Sequence, residues 1–200
     1  MNGKIRKHKK LKFKEVYFAT TNLHKFKEAE KIFSKYGLNL KHLNFKTAEI
    51  QSENLEKIAK NSLNQVLSQH KIPVFVEDAG LFIKVLNGFP GPYSSYVFKT
   101  IGLKGILNLL GKTRNREAFF LSVIAFGSPS GEQKIFTGKV LGKITFKIRG
   151  LGGFGFDPIF QPKNHQKTFG QMNVEEKNRF SHRAKAVKKL VKWLLFKEKL

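Results

Sequence analysis

The chain has 200 residues, of which 40% are hydrophobic, enough for a buried core in one domain or one domain with two lobes. It has no cysteine, which excludes a disulfide framework, a thiolate metal site and a cysteine nucleophile. Thirty-eight Lys and Arg against 14 Asp and Glu leave a net charge of +24, which implies attraction to polyanions such as nucleic acid, an anionic membrane or phosphorylated small molecules.

The first 14 residues carry seven Lys or Arg and read as a basic arm leading into a domain over residues 15–200. Val16 to Ala19 is a short apolar strand, broken by Thr20-Thr21-Asn22. Leu23 to Tyr36 has helical spacing, with Gly37 as its stop. Leu38 to Phe45 alternates as a second strand, and Glu53 to His70 reads as another helix. Pro73 opens a third strand, Val74 to Val76, ending in Glu77-Asp78-Ala79-Gly80, where a turn is expected. Leu81 to Leu86 follows as its antiparallel continuation, and Asn87 to Tyr93 is a Gly- and Pro-rich loop. Two short helices come next, near Ser94 to Thr100 and Leu103 to Leu110. Arg116 to Phe126 and Gln133 to Ile148 read as strands joined by a turn at Ser128 to Gly131, the second broken near Gly138 to Gly142. Asn173 caps a short helix, and from Ser181 the residues Val187, Leu190, Val191, Leu194 and Leu195 form an amphipathic stripe. Alternating strands and helices followed by hairpins predict an α/β fold with a mixed sheet. The longest apolar stretch, Ala118 to Phe126, is about half of what a membrane span needs. A cytoplasmic protein without membrane attachment is expected.

Four constellations are candidates for chemistry. Thr20-Thr21-Asn22-Leu23-His24-Lys25 stands between a strand and a helix, where free N–H groups, hydroxyls and a lysine can cradle phosphate. Taken alone, the same residues suit a simple helix cap better than a phosphate cradle. Glu77 and Asp78 end an apolar strand; neighbours there face opposite sides, so only one faces a given site. Asp78, with Glu49 approaching from before the second helix, offers the oxygens that Mg²⁺ prefers. Arg149 to Pro158 contains four glycines for close ligand approach, and Phe154 and Phe156 as flat faces for a base. Glu176-Lys177-Asn178 and Ser181-His182-Arg183 bring donors that could read a base edge.

Taken in order, Thr-x-Asn-x-x-Lys, Glu-x-Gln, Glu-Asp-x-Gly, Gly-x-Pro-Gly-x-Tyr-Ser, Gly-Phe-Gly-aromatic-Asp-Pro-x-Phe and Glu-Lys-Asn-x-x-Ser-His-Arg resemble the inosine/xanthosine triphosphate pyrophosphatases. The resemblance spans about Val16 to Leu195. It implies a two-lobed mixed α/β fold with a cleft between the lobes, a homodimer, and Mg²⁺-dependent hydrolysis of non-standard purine nucleoside triphosphates to monophosphate and pyrophosphate. By motif, Thr20, Thr21, Asn22 and Lys25 would hold the phosphates, while Glu49 and Asp78 would hold metal and activate water, with Lys25 beside them. Phe154 would stack on the purine, and Gly155, Phe156 and Asp157 would shape that loop. Lys177 would reach the nucleotide from the other side, and His182 and Arg183 would face its 6-keto edge. The chain departs from the family pattern at Ser52, Ala79, Ser95-Tyr96 and Phe156. The family's lysine on the helix before the Glu-Asp strand has only Asn61 and Ser62, beside Lys60, as counterparts. The competing readings are a basic nucleic-acid-binding protein and a catalytically silent nucleotide binder.

Overall fold

The computed structural model describes residues 13–195, so the basic arm expected over residues 1–14 lies almost wholly outside the described residues. At its end Phe13 packs on Phe126 and Trp193, as a run-in to the first strand would.

β1 (Val16–Ala19) pairs in parallel with β2 (Leu40–Leu43) on one side and β3 (Val74–Ile83) on the other. α1 (Leu23–Lys35) and α2 (Leu55–Gln69) supply the crossovers that parallel pairing requires. Asn22 and Asn54 cap them, each side chain accepting two first-turn N–H groups. β5 (Glu117–Gly127), β6 (Gln133–Ile144) and β7 (Phe160–Pro162) continue the sheet antiparallel, giving the order β2-β1-β3-β5-β6-β7. The two-residue β4 (Pro90–Gly91) pairs with β3, inside the segment expected to be loop. α3 (Ser94–Thr100), α4 (Gly102–Leu110), α5 (Val174–Asn178) and α6 (His182–Leu194) lie near the expected positions. The result is an open mixed seven-stranded sheet flanked by helices.

Two expected breaks are absent. β3 runs unbroken through Asp78, Ala79 and Gly80, paired with β5 from Val74–Gly127 to Ile83–Ala118. Gly80 serves close approach rather than a turn, since a Cβ there would stand 2.4 Å from the Gly91 carbonyl oxygen. β6 is likewise continuous, and its Gly142 lies under β7. Gly138 lets α6 cross the sheet; a Cβ there would stand 2.1 Å from the His182 carbonyl oxygen and 2.6 Å from the Ala186 nitrogen. Gly138→Ala is therefore expected to lift the start of α6, costing about 1–3 kcal/mol or more. A thermal midpoint equal to wild type would contradict that packing.

Strand alternation splits the core. Phe18, Phe75, Ile124 and Phe126 face α1 and α6, whereas Ala19, Val74, Val76 and Val123 face α2. A third cluster, built on Leu81, Ile106, Phe120, Ile144 and Phe160, fills the far end of the sheet.

Candidate active site

A cleft of about 1030 Å³ opens where β1 ends, α1 begins and β3 passes beneath them. Every residue given a role by the resemblance lines it: Thr20, Thr21, Asn22, Lys25, Glu49, Asp78, Phe154, Gly155, Phe156, Asp157, Lys177, His182 and Arg183. Glu176, Asn178, Ser181 and Arg149 do not.

At the start of α1, Asn22 Oδ1 accepts from the His24 and Lys25 amides at 3.0 and 3.2 Å, and Thr20 Oγ1 accepts from the Asn22 amide at 3.1 Å. These oxygens shape the turn, as the helix-cap reading expects. Lys25 Nζ reaches under the sheet, donating to the Glu77 carbonyl at 2.8 Å and standing 3.0 Å from Glu77 Oε2.

Glu77 shares its phase with Phe75 and faces α1 and α6; Asp78 shares the phase of Val74 and Val76 and faces α2. Both nevertheless line the cleft, which reaches both faces of the sheet. The expectation that only one would face the site is thus corrected. Glu77 is buried, which alone would raise its pKa, but the charges of Arg183 and Lys25 and a 2.6 Å bond from Ser122 Oγ hold it well below the usual carboxylate range. Asp78 goes the other way. Burial pushes its carboxyl up to about 6; Lys25 opposes this, and the negative charges of Glu77 and Glu49 add to it. Its buried Oδ2 has no hydrogen-bond partner.

The opposite wall is a buried ion network. Glu28 Oε1 lies 2.8 Å from Lys177 Nζ, and Glu28 Oε2 accepts from Arg183 Nη1 at 2.6 Å. Lys177 Nζ also donates to Asp157 Oδ2 at 2.5 Å, and that oxygen accepts from the Phe154 amide at 2.9 Å. Arg183 Nε stands 3.2 Å from Glu77 Oε1, linking the two walls. Phe154 stacks on His24 at 5.3 Å, with Lys177 Nζ 4.8 Å and the Arg183 guanidinium 5.3 Å from its ring centre. His182 is buried and stacks on Phe120 at 4.5 Å. Burial and then the nearby charges of Arg183 and Lys177 push its pKa well down, so its ring is neutral.

The sequence reading missed Glu28, Ser122 and two lysines of the cleft wall. Glu28 follows Lys25 by three residues on the inward stripe of α1, beside Ala29, Ile32 and Phe33. A carboxylate on an apolar stripe was the available signal. Ser122, which interrupts the apolar β5, was another. Lys46 and Lys99 line the cleft with no distinguishing pattern around them. Ser62 reaches the cleft from α2, whereas Lys60 pairs with Glu56.

Among the described residues no group of three or more His, Asp or Glu is arranged to hold a metal. Glu49 and the unpartnered Asp78 form a two-carboxylate set of hard oxygens, which suits a cation that takes its other ligands from water and phosphate.

A family model for the Ham1 family matches residues 16–193. The chain belongs to the Ham1 family. Among curated members, a dITP/XTP pyrophosphatase of Methanopyrus kandleri is 46% identical over 179 residues, covering 90% of this chain and 95% of its own. A dITP/XTP pyrophosphatase of Hyperthermus butylicus is 48% identical over 179 residues, covering 90% and 94%. The structure of the Staphylococcus aureus Ham1 protein superimposes with a TM-score of 0.77 at 31% identity, covering 90% of this chain and 97% of its own. The Ham1 resemblance is thus one of both sequence and fold, and it extends over the whole cleft. Among the described residues no helix is long and apolar enough to cross a membrane.

Proposed function

We propose that this chain hydrolyses non-standard purine nucleoside triphosphates, dITP, ITP and XTP, to the monophosphate and pyrophosphate. The observation that carries this is the convergence of residues from Thr20 to Arg183 on one cleft, with the unpartnered Oδ2 of Asp78 among them. The curated relatives named for dITP and XTP support the substrate class. The active unit is read as a single two-lobed domain over residues 15–200, working as a cytoplasmic homodimer on the free nucleotide pool.

Glu49 and Asp78 would hold Mg²⁺, which when bound would neutralise the triphosphate and polarise its phosphoryl oxygens. The triphosphate lies along the start of α1, where Thr20, Thr21, Asn22 and Lys25 meet the positive end of the helix. Water attacks the α-phosphorus, the bond from that phosphorus to the α,β-bridging oxygen breaks, and pyrophosphate departs. The proton of the water passes to the Asp78 carboxylate, whose Oδ2 has no other hydrogen-bond partner. Lys25, held by Glu77, steadies the charge that develops on the phosphoryl oxygens.

At the other end the purine stacks on Phe154, in a loop shaped by Gly155, Phe156 and Asp157. Glu28 and Glu77 fix Arg183 so that its remaining N–H groups meet an acceptor at position 6 of the base. Lys177 and neutral His182 complete that wall. Adenine would set its amino donor against those donors, at about 1–3 kcal/mol per unmet group.

With dITP and Mg²⁺, equimolar monophosphate and pyrophosphate are expected by phosphorus NMR. Diphosphate with inorganic phosphate would overturn the reading. Phe154→Ala is expected to raise KM for dITP about tenfold with a smaller change in kcat, the usual scale of one base–aromatic stack. An unchanged KM would remove Phe154 from base recognition.

A further inference from the structure

The cleft takes up only part of the surplus positive charge, with Lys46 and Lys99 in its wall. Lys25, Lys177 and Arg183 are each held there by buried carboxylates. Another part of it lies on the outer faces of α1 and α6. On α6, Lys185, Lys189 and Lys192 recur on one exposed stripe, while Val187, Leu190, Val191 and Leu194 are buried. On α1, Lys27, Lys31 and Lys35 recur every four residues and are exposed, a spacing of about 6 Å along the axis.

The two helices run side by side in the same direction. Glu28 meets Arg183, and further along both helices the charge of Lys35 reaches Lys188. Lys188, half-buried on α6, is held below the usual lysine range by burial and then by the like charges of Lys35, Lys185 and Lys192. The ammonium groups of Lys185, Lys188 and Lys189 donate to the carbonyls of Lys139, Arg179 and Thr137 at 2.8, 2.8 and 2.7 Å. Neutral carbonyls orient these lysines without cancelling their charge. The neighbouring carboxylates are few: Glu175 pairs with Lys31, and Glu30 lies exposed on α1.

We propose that the joined outer faces of α1 and α6 dock the phosphate backbone of nucleic acid, separately from the catalytic cleft. A row of lysines that outnumber their neighbouring carboxylates releases condensed counterions from a polyphosphate and needs no base contact. A lipid surface fits less well, because a membrane-binding helix must offer an apolar face. The apolar faces of α1 and α6 are committed to the core. Both helices begin at the cleft and run away from it, so a docked polymer leaves the nucleotide entrance open.

The test is fluorescence anisotropy with a short labelled DNA duplex across a salt series, on the whole chain. The variants replace Lys35, Lys185, Lys189 and Lys192 together, once with Gln and once with Arg. Wild type and the Arg variant are expected to bind with a steep salt dependence. The Gln variant is expected to bind at least about tenfold more weakly, with a log–log slope shallower by about 3, while its dITP turnover at fixed salt matches wild type. Retained turnover shows that the Gln variant is folded and separates this surface from the cleft. Equal affinity and slope in wild type and Gln variant would overturn the proposal. So would competition between duplex and dITP, or binding to phosphatidylserine-containing vesicles at least as tight as to the duplex.

Discussion

Asp78→Asn is expected to lose about a thousandfold in turnover and yet to make the metal-free protein more stable. The two effects share one cause. Burial, with Glu77 and Glu49 nearby, raises the Asp78 carboxyl from its ordinary 3.8 to about 6 despite the opposing charge of Lys25. The folded protein therefore holds this proton more tightly than the unfolded chain. Stability from Asp78 is greatest at low pH, falls as pH rises from near 4 to about 6, and stays lost above that. The gap corresponds to about 3 kcal/mol as an upper figure. Asn cannot ionise, so the variant escapes the penalty. Urea unfolding in EDTA at about pH 8 is expected to show Asp78→Asn more stable by about 1–3 kcal/mol, with the advantage vanishing below about pH 4. A variant less stable than wild type at the higher pH would contradict the raised carboxyl of Asp78. A variant with near wild-type turnover would remove Asp78 from the mechanism.

The second large effect belongs to Glu28, which touches neither strand end nor phosphate site. Its carboxylate holds both Lys177 and Arg183, and all three side chains are almost fully buried. Glu28→Ala is expected to cost about 3–5 kcal/mol, because it leaves buried cations without their counter-charge. Burial raises the Glu28 pKa, but the charges of Arg183 and Lys177 outweigh it and hold the group below the usual range. Glu77 behaves in the same way. The stability that these two contribute is complete above the ordinary carboxylate range and is lost as pH falls below it. Wild type is thus expected to weaken on acidification, and Glu28→Ala to do so less steeply. The exposed pair Lys31–Glu175 is the contrast, and Glu175→Ala should leave the urea midpoint near wild type. Equal midpoints for Glu28→Ala and wild type would contradict the network.

What was legible in the sequence was local. α1, α2 and α6 are visible because apolar residues recur at helical spacing, behind Asn22 and Ser181 for α1 and α6; the cap of α2, Asn54, lies just inside the start expected at Glu53. The cleft residues were legible because each motif concentrates rare types: paired acids after an apolar run, glycines around Phe154, Ser-His-Arg at a helix start. What was hidden depends on distant neighbours. Gly80 and Gly138 look like strand breakers, and only the approach of Gly91 and of α6 shows why glycine is needed in an unbroken strand. Glu28 and Arg183 are 155 residues apart, so nothing local to either shows the pair. The opposite displacements of Glu77 and Asp78 were equally hidden, since they arise from which face of the sheet each side chain meets.

The most direct measurement is initial-rate pyrophosphate release, with Mg²⁺, from dITP, XTP, dATP and dGTP in parallel. Release from dITP and XTP at least about a hundredfold faster, in kcat/KM, than from dATP is predicted, as expected when buried donors face a 6-oxygen and reject a 6-amino group. Comparable rates for dITP and dATP, or no release from any of the four, would contradict it.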